Sequence, residues 1–179
     1  MNLTAIKKVI PHLAVMGVVP TNIAFDVKFD QNGSAENQEL FPQTFSRFQW
    51  GCVGQGDRTV QDPVKGIDQY LVILLVRTLA EIAFQPEAGP IPEAEPIPED
   101  LVLSTIEVTF AVTYQSDVPA DMLDVEGMQE FIQHNVPYHF WPYWRELIQN
   151  LAIRSQLPVP NLPPYRVPEA AQIQTKSAD

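Results

Sequence analysis

Along this chain, polar and apolar positions follow a period of two in some stretches and close to 3.6 in others. Ile23, Phe25, Val27 and Phe29 alternate with Asn22, Ala24, Asp26, Lys28 and Asp30, which predicts a half-buried strand over residues 18–30. The same period returns over residues 104–115. There Ile106, Val108, Phe110, Val112 and Tyr114 face one way, and Thr105, Glu107, Thr109, Ala111 and Thr113 the other. Residues 68–85 lose the alternation, since every position from Tyr70 to Val76 is apolar. Their β-branched and aromatic content still reads as a strand, one with both faces covered or sticky, although Arg77 to Phe84 also fits a helical period. After that the period changes. Trp141, Trp144, Leu147, Ile148 and Leu151 form one helical stripe, with Arg145, Glu146, Gln149, Asn150 and Arg154 largely opposite. Arg154 suits the negative end of the helix dipole, and the run Leu-Pro-Val-Pro-Asn-Leu-Pro-Pro stops the helix because proline lacks an amide donor. A first helical piece near 125–135 brings Phe131 and Ile132 inward, with Pro137 and Pro142 bending or restarting the helix. Leu3, Ile6 and Ile10 predict a short helix ending at Pro11.

Other stretches have no clean period. Asp30 to Glu39 is a polar turn or loop. Phe41, Phe45, Phe48 and Trp50 crowd the next segment, which reads as a loop capping the core or as an adhesive lip for unfolded chains. A second strand falls within residues 44–60, interrupted by Gly51, Gly54 and Gly56. Residues 86–100 carry a near-repeat, Gly-Pro-Ile-Pro-Glu-Ala then Glu-Pro-Ile-Pro-Glu-Asp. Alternate prolines and repelling glutamates favour an extended, solvated loop. The expected organisation is one domain over residues 1–168, with this loop inserted, and a polar tail over 169–179 that frays.

Composition narrows the function classes. The chain has 179 residues, 45% of them apolar, and a net charge of −11. Such an acidic chain repels phosphate backbones and favours basic peptides or basic protein surfaces, so nucleic acid is not an expected partner. One cysteine, Cys52, allows no internal disulfide and fits a reducing cytosol. Lys7 and Lys8 before Val-Ile-Pro-His-Leu-Ala faintly resemble a signal peptide. Pro11 and His12 interrupt that run, however, and no apolar stretch is long enough to span a bilayer. His12, His134 and His139 share no ligand spacing with Cys52 or the carboxylates, and no serine sits in a Gly-x-Ser-x-Gly elbow. The expectation is a binding module without metal or cofactor rather than an enzyme.

The run from Trp141 to Pro164 resembles the signature of the SecB family of export chaperones. Trp141, Pro142, Tyr143, Arg145 and Glu146 match its helix start, Arg154 its helix end, and Pro158, Asn161, Leu162 and Pro164 its stop. The stretch closing at Phe25 and Asp26 resembles that family's first strand. The resemblance covers residues 18–30 and 104–165 and implies an α+β fold: a four-stranded antiparallel sheet with a long, kinked helix across one face. It implies an ATP-independent holdase for unfolded preproteins, assembled as a dimer of dimers. Client-binding residues would be Phe45, Phe48, Trp50, Tyr143 and Trp144. Asp26 and Glu107, on the outer sheet surface, would dock the basic tail of the SecA motor. Some SecB-like proteins instead guard an antitoxin. The long 86–100 loop and the weakly apolar tail depart from the family, and an adaptor with one dedicated partner is the alternative.

Overall fold

The structure, a computed structural model, describes residues 2–28, 43–62, 66–86 and 89–165. Four strands, β1 (Leu13–Val27), β2 (Thr44–Gln61), β3 (Asp68–Phe84) and β4 (Val102–Ser116), form one antiparallel sheet in the order β1-β4-β3-β2. A one-turn helix, α1 (Leu3–Ile6), precedes the sheet, and α2 (Val125–His134) and α3 (Val136–Arg154) follow it. No described helix is long and apolar enough to cross a membrane.

The two inner strands carry the cleanest patterns because both of their edges are paired. On β3, Val72, Leu74, Val76 and Ala80 are buried; on β4, Ile106, Val108, Phe110, Val112 and Tyr114 are. Against this face α3 lays Val136, Phe140, Trp144, Ile148 and Ala152, all fully buried. Their four-residue spacing keeps them on one stripe, and each large side chain contributes about 1.5–3 kcal/mol by leaving water. The bend between α2 and α3 falls at Asn135. Pro137 has no amide to continue the α2 ladder and disfavours helical geometry at Val136. Pro142 stays inside α3, on its exposed side, where the unbonded Tyr138 carbonyl has access to solvent.

Three elements differ from expectation. β1 begins at Leu13 rather than residue 18, because the apolar run from Leu13 to Val19 also pairs with β4. It tolerates Pro20 as an edge strand, with bulges around Met16 and Thr21. The second strand expected within residues 44–60 is β2, and the aromatic residues from Thr44 onward, also read as a capping loop, lie inside it. Gly51, Gly54 and Gly56 all take the outer pleat, and a bulge at Val53 shifts the phase, so no two-residue period survives in the sequence. The helical turn near the N-terminus is shorter than expected, followed by a 3-10 turn at Ile10–His12. Phe29, Asp30, Phe41 and the 169–179 tail lie outside the described residues.

The proline-rich loop crosses back to β2 rather than standing free in solvent. Arg47 on β2 donates through Nη2 to the Pro92 carbonyl at 3.0 Å and through Nη1 to the Glu95 carbonyl. Within the loop Ile97 is buried, while residues 92–96 and 98–100 are exposed.

The outer face of the sheet divides in two. Val19, Ala111 and Leu75 lie side by side across β1, β4 and β3, next to Ile73, and Gly54 of β2 abuts Leu75. Toward the other end the row is Asp26, Thr105, Glu81 and Arg47.

Candidate functional site

Strand parity decides where the aromatic residues of β2 go. Phe48 and Trp50 take the inner pleat opposite Ala80 and Thr78, and therefore face α3. Phe48 meets Trp144 edge-on, with ring centroids 5.8 Å apart, and Trp50 meets Phe140 at 5.6 Å. Trp144 also touches Trp141 at 5.1 Å and is 0% exposed. This corrects the expectation that Trp144 is a client contact: it is the centre of the core and presents no surface to a client. Phe48 and Trp50 are only partly buried. Phe45 takes the opposite pleat and lines a cleft of about 440 Å³ with Phe48, Ile91 and Glu93. Tyr143 is 51% exposed on a separate flank of α3. The five expected client residues thus do not form one continuous groove.

A different cleft lies on α3, and sequence reasoning missed it. Tyr138, Trp141, Pro142, Arg145, Glu146 and Gln149 form one wall, and Pro164 and Tyr165, returning after the helix, form the other; the space is about 470 Å³. Leu162, fully buried, anchors the returning segment. Trp141 Nε1 donates to the Pro163 carbonyl at 2.6 Å. Tyr165 completes a ladder of rings, 5.3 Å from Trp141 and 5.8 Å from Tyr138. Arg145 is unpaired among the described residues. One signal was present in the sequence: positions 138, 142, 145 and 149 share a helix face away from the buried stripe. What the cleft adds, the return of Pro164 and Tyr165, is a tertiary event with no local signature.

Asp26 and Glu107 do share the outer face, one diagonal step apart across β1 and β4. Glu107 is already engaged by Arg77 from β3. The histidines stay apart. His12 pairs with Asp117 at 2.8 Å, His134 lies 3.3 Å from Glu130, and His139 Nδ1 sits 2.8 Å from the Tyr114 hydroxyl. Among the described residues no three His, Cys, Asp or Glu side chains gather closely enough to hold a metal ion.

Burial shifts both members of the last pair. It pushes the Tyr114 hydroxyl up and holds His139 below the usual imidazole value. In the unfolded chain His139 titrates near its ordinary value of about 6.5. Below that pH the unfolded state takes up a proton that the folded state resists, so the stabilising effect is complete above about pH 6.5 and is lost as pH falls toward the folded value. Urea midpoints between pH 7.5 and 5.5 should therefore drop more steeply for the wild-type chain than for His139→Gln. Equal slopes would show that burial at His139 has no linkage to folding.

No protein-family model matches the chain, and no curated protein matches it in sequence. Among solved structures it is similar to the Mycobacterium tuberculosis SecB-like chaperone Rv1957, solved in complex with a ChAD peptide from the Rv1956 HigA1 antitoxin. The two share 14% identity with a TM-score of 0.58, over 92% of this chain and 99% of that one. At that identity the likeness speaks for architecture alone. An antiparallel sheet ordered β1-β4-β3-β2, crossed on one face by a helix bent at Asn135, is a SecB-like fold.

Proposed function

We propose that this chain is an ATP-independent holding chaperone that binds non-native polypeptide segments and keeps them competent for export or assembly. The observation that carries the reading is the open, aromatic-walled cleft on α3, set on a SecB-like fold. Side chains of any unfolded client would gain about 25 cal/mol per Å² on leaving water there, without demanding a sequence. Tyr143, Phe45 and the exposed rims of Phe48 and Trp50 would add weaker sites, and avidity over several such sites sets the affinity. The acidic charge of the chain favours clients rich in lysine and arginine.

Two finer elements belong to the same proposal. The exposed Val15, Met16, Val19 and Ile23 on edge strand β1 supply apolar surface for assembly into a homo-oligomer. Asp26 and Glu107 would receive the basic tail of a SecA-like motor, which must first compete with Arg77 for Glu107. A second reading has its own support: the similar structure holds an antitoxin peptide, which favours an adaptor with one dedicated partner.

Suppression of aggregation separates the two readings. With two unrelated denatured clients, the holdase keeps both in solution without ATP. Protection of neither sinks the holdase and leaves the adaptor.

A further inference from the structure

The chain holds two of its own proline-rich segments by the same means. Trp141 donates its indole N–H to the carbonyl of Pro163, inside the run Leu-Pro-Pro. Arg47 donates to the carbonyls of Pro92 and Glu95, inside the Pro-Ile-Pro repeat. In each case a side-chain donor reads a carbonyl on a chain whose prolines carry no N–H. That matches the chemistry of polyproline segments, which expose acceptors and no competing internal hydrogen bonds.

The cleft on α3 presents similar elements, and among the described residues no segment of this chain fills it. Trp141, Tyr165 and Tyr138 form a ladder of rings with centroids 5.3 and 5.8 Å apart, close to two residues of a polyproline helix at about 3.1 Å each, which suits prolines at alternate positions. Arg145, unpaired among the described residues, brings N–H donors to the cleft wall, and Gln149 brings an amide. A proline-rich peptide offers Arg145 and Gln149 carbonyls free of internal hydrogen bonds, and it carries few backbone N–H groups that would need acceptors of their own. Such segments also start extended, so they lose less entropy on binding than a flexible chain.

We propose that this cleft binds extended, proline-rich segments of a client or partner, with the rings packing on prolines and Arg145 donating to the carbonyls between them. The inference rests on the reading of the chain as a polypeptide-binding protein and narrows what its main cleft selects.

The test uses the full chain and a fluorescein-labelled ten-residue peptide with proline at alternate positions, beside the same peptide with every proline replaced by alanine. Fluorescence anisotropy should show the proline peptide binding at least about tenfold more tightly than the alanine peptide. Arg145→Ala and Tyr138→Ala should each weaken it by about five- to tenfold, while Ile153→Ala, an exposed α3 position outside the cleft, leaves it unchanged. Circular dichroism of each variant checks that the fold is intact. Equal binding of the two peptides, or equal losses for all three variants, overturns the proposal. A proline-poor, permanently unfolded polypeptide is titrated in parallel. If it binds while the proline peptide does not, the inference fails and the chaperone reading stands; if neither binds, both fail.

Discussion

Trp144→Ala is expected to cost about 3–5 kcal/mol of folding stability, the range for deleting a large aromatic from a close-packed interior. That is a large share of the roughly 5–15 kcal/mol that holds a domain together. The indole is 0% exposed and lies among Phe48, Phe140 and Trp141, so its loss strips contacts from the sheet and the helix at once. Trp144→Phe should cost far less, about 1–2 kcal/mol. It keeps one ring in place and removes an indole N–H that finds no acceptor among the described residues. Two effects then oppose each other: lost volume destabilises, and shedding an unpaired buried donor stabilises. Urea unfolding followed by circular dichroism measures both variants. Full stability in Trp144→Ala would mean that the tryptophan is not in the core, and would restore it as a client contact.

Gly127→Ala is expected to destabilise by about 2 kcal/mol, against the usual sign for a helix. Inside most helices the change gains about 0.5–1 kcal/mol, because alanine gives up less backbone freedom on folding. Here a Cβ would lie 2.6 Å from both the Ala5 carbonyl oxygen and Val9 Cγ2. Neither neighbour yields cheaply. Ala5 and Val9 are buried, and the segment around them is tied to α2 by Asn2 donating to Glu126 at 2.6 Å and Lys8 to Asp124 at 2.9 Å. The Lys8 ammonium, with the Gly127 amide, holds the Asp124 carboxyl below the usual carboxylate range. For a chain of this size the expected cost is a melting temperature lower by about 4–8 °C. A higher melting temperature would show that α1 does not pack on α2 through this glycine.

These two positions also show what was legible in the sequence. The β4 alternation and the α3 stripe could be read because each residue there has one neighbour that matters, sheet or solvent. Trp144 was on the stripe, but nothing local says that a strand nearly a hundred residues earlier brings Phe48 to cover it. Phe45 and Phe48 look equivalent in sequence, yet a three-residue offset in a strand puts them on opposite pleats. Gly51, Gly54 and Gly56 blurred the bounds of β2, though not its existence, because a strand whose outer positions carry no side chain shows no period. Gly127 gave no signal at all, since its constraint comes from α1. The proline-rich loop read as solvated because glutamate and proline dominate it, while the contact that tethers it is a single arginine on another strand.

The strand order has a consequence for the birth of the molecule. Leu13 pairs with Ser116, so the first strand made must wait for the last before it has a neighbour. At roughly 5–20 residues per second, translation leaves Val15, Met16 and Val19 unpartnered for many seconds at the ribosome. A protein proposed to shelter the unfinished chains of others would itself begin life as one of them.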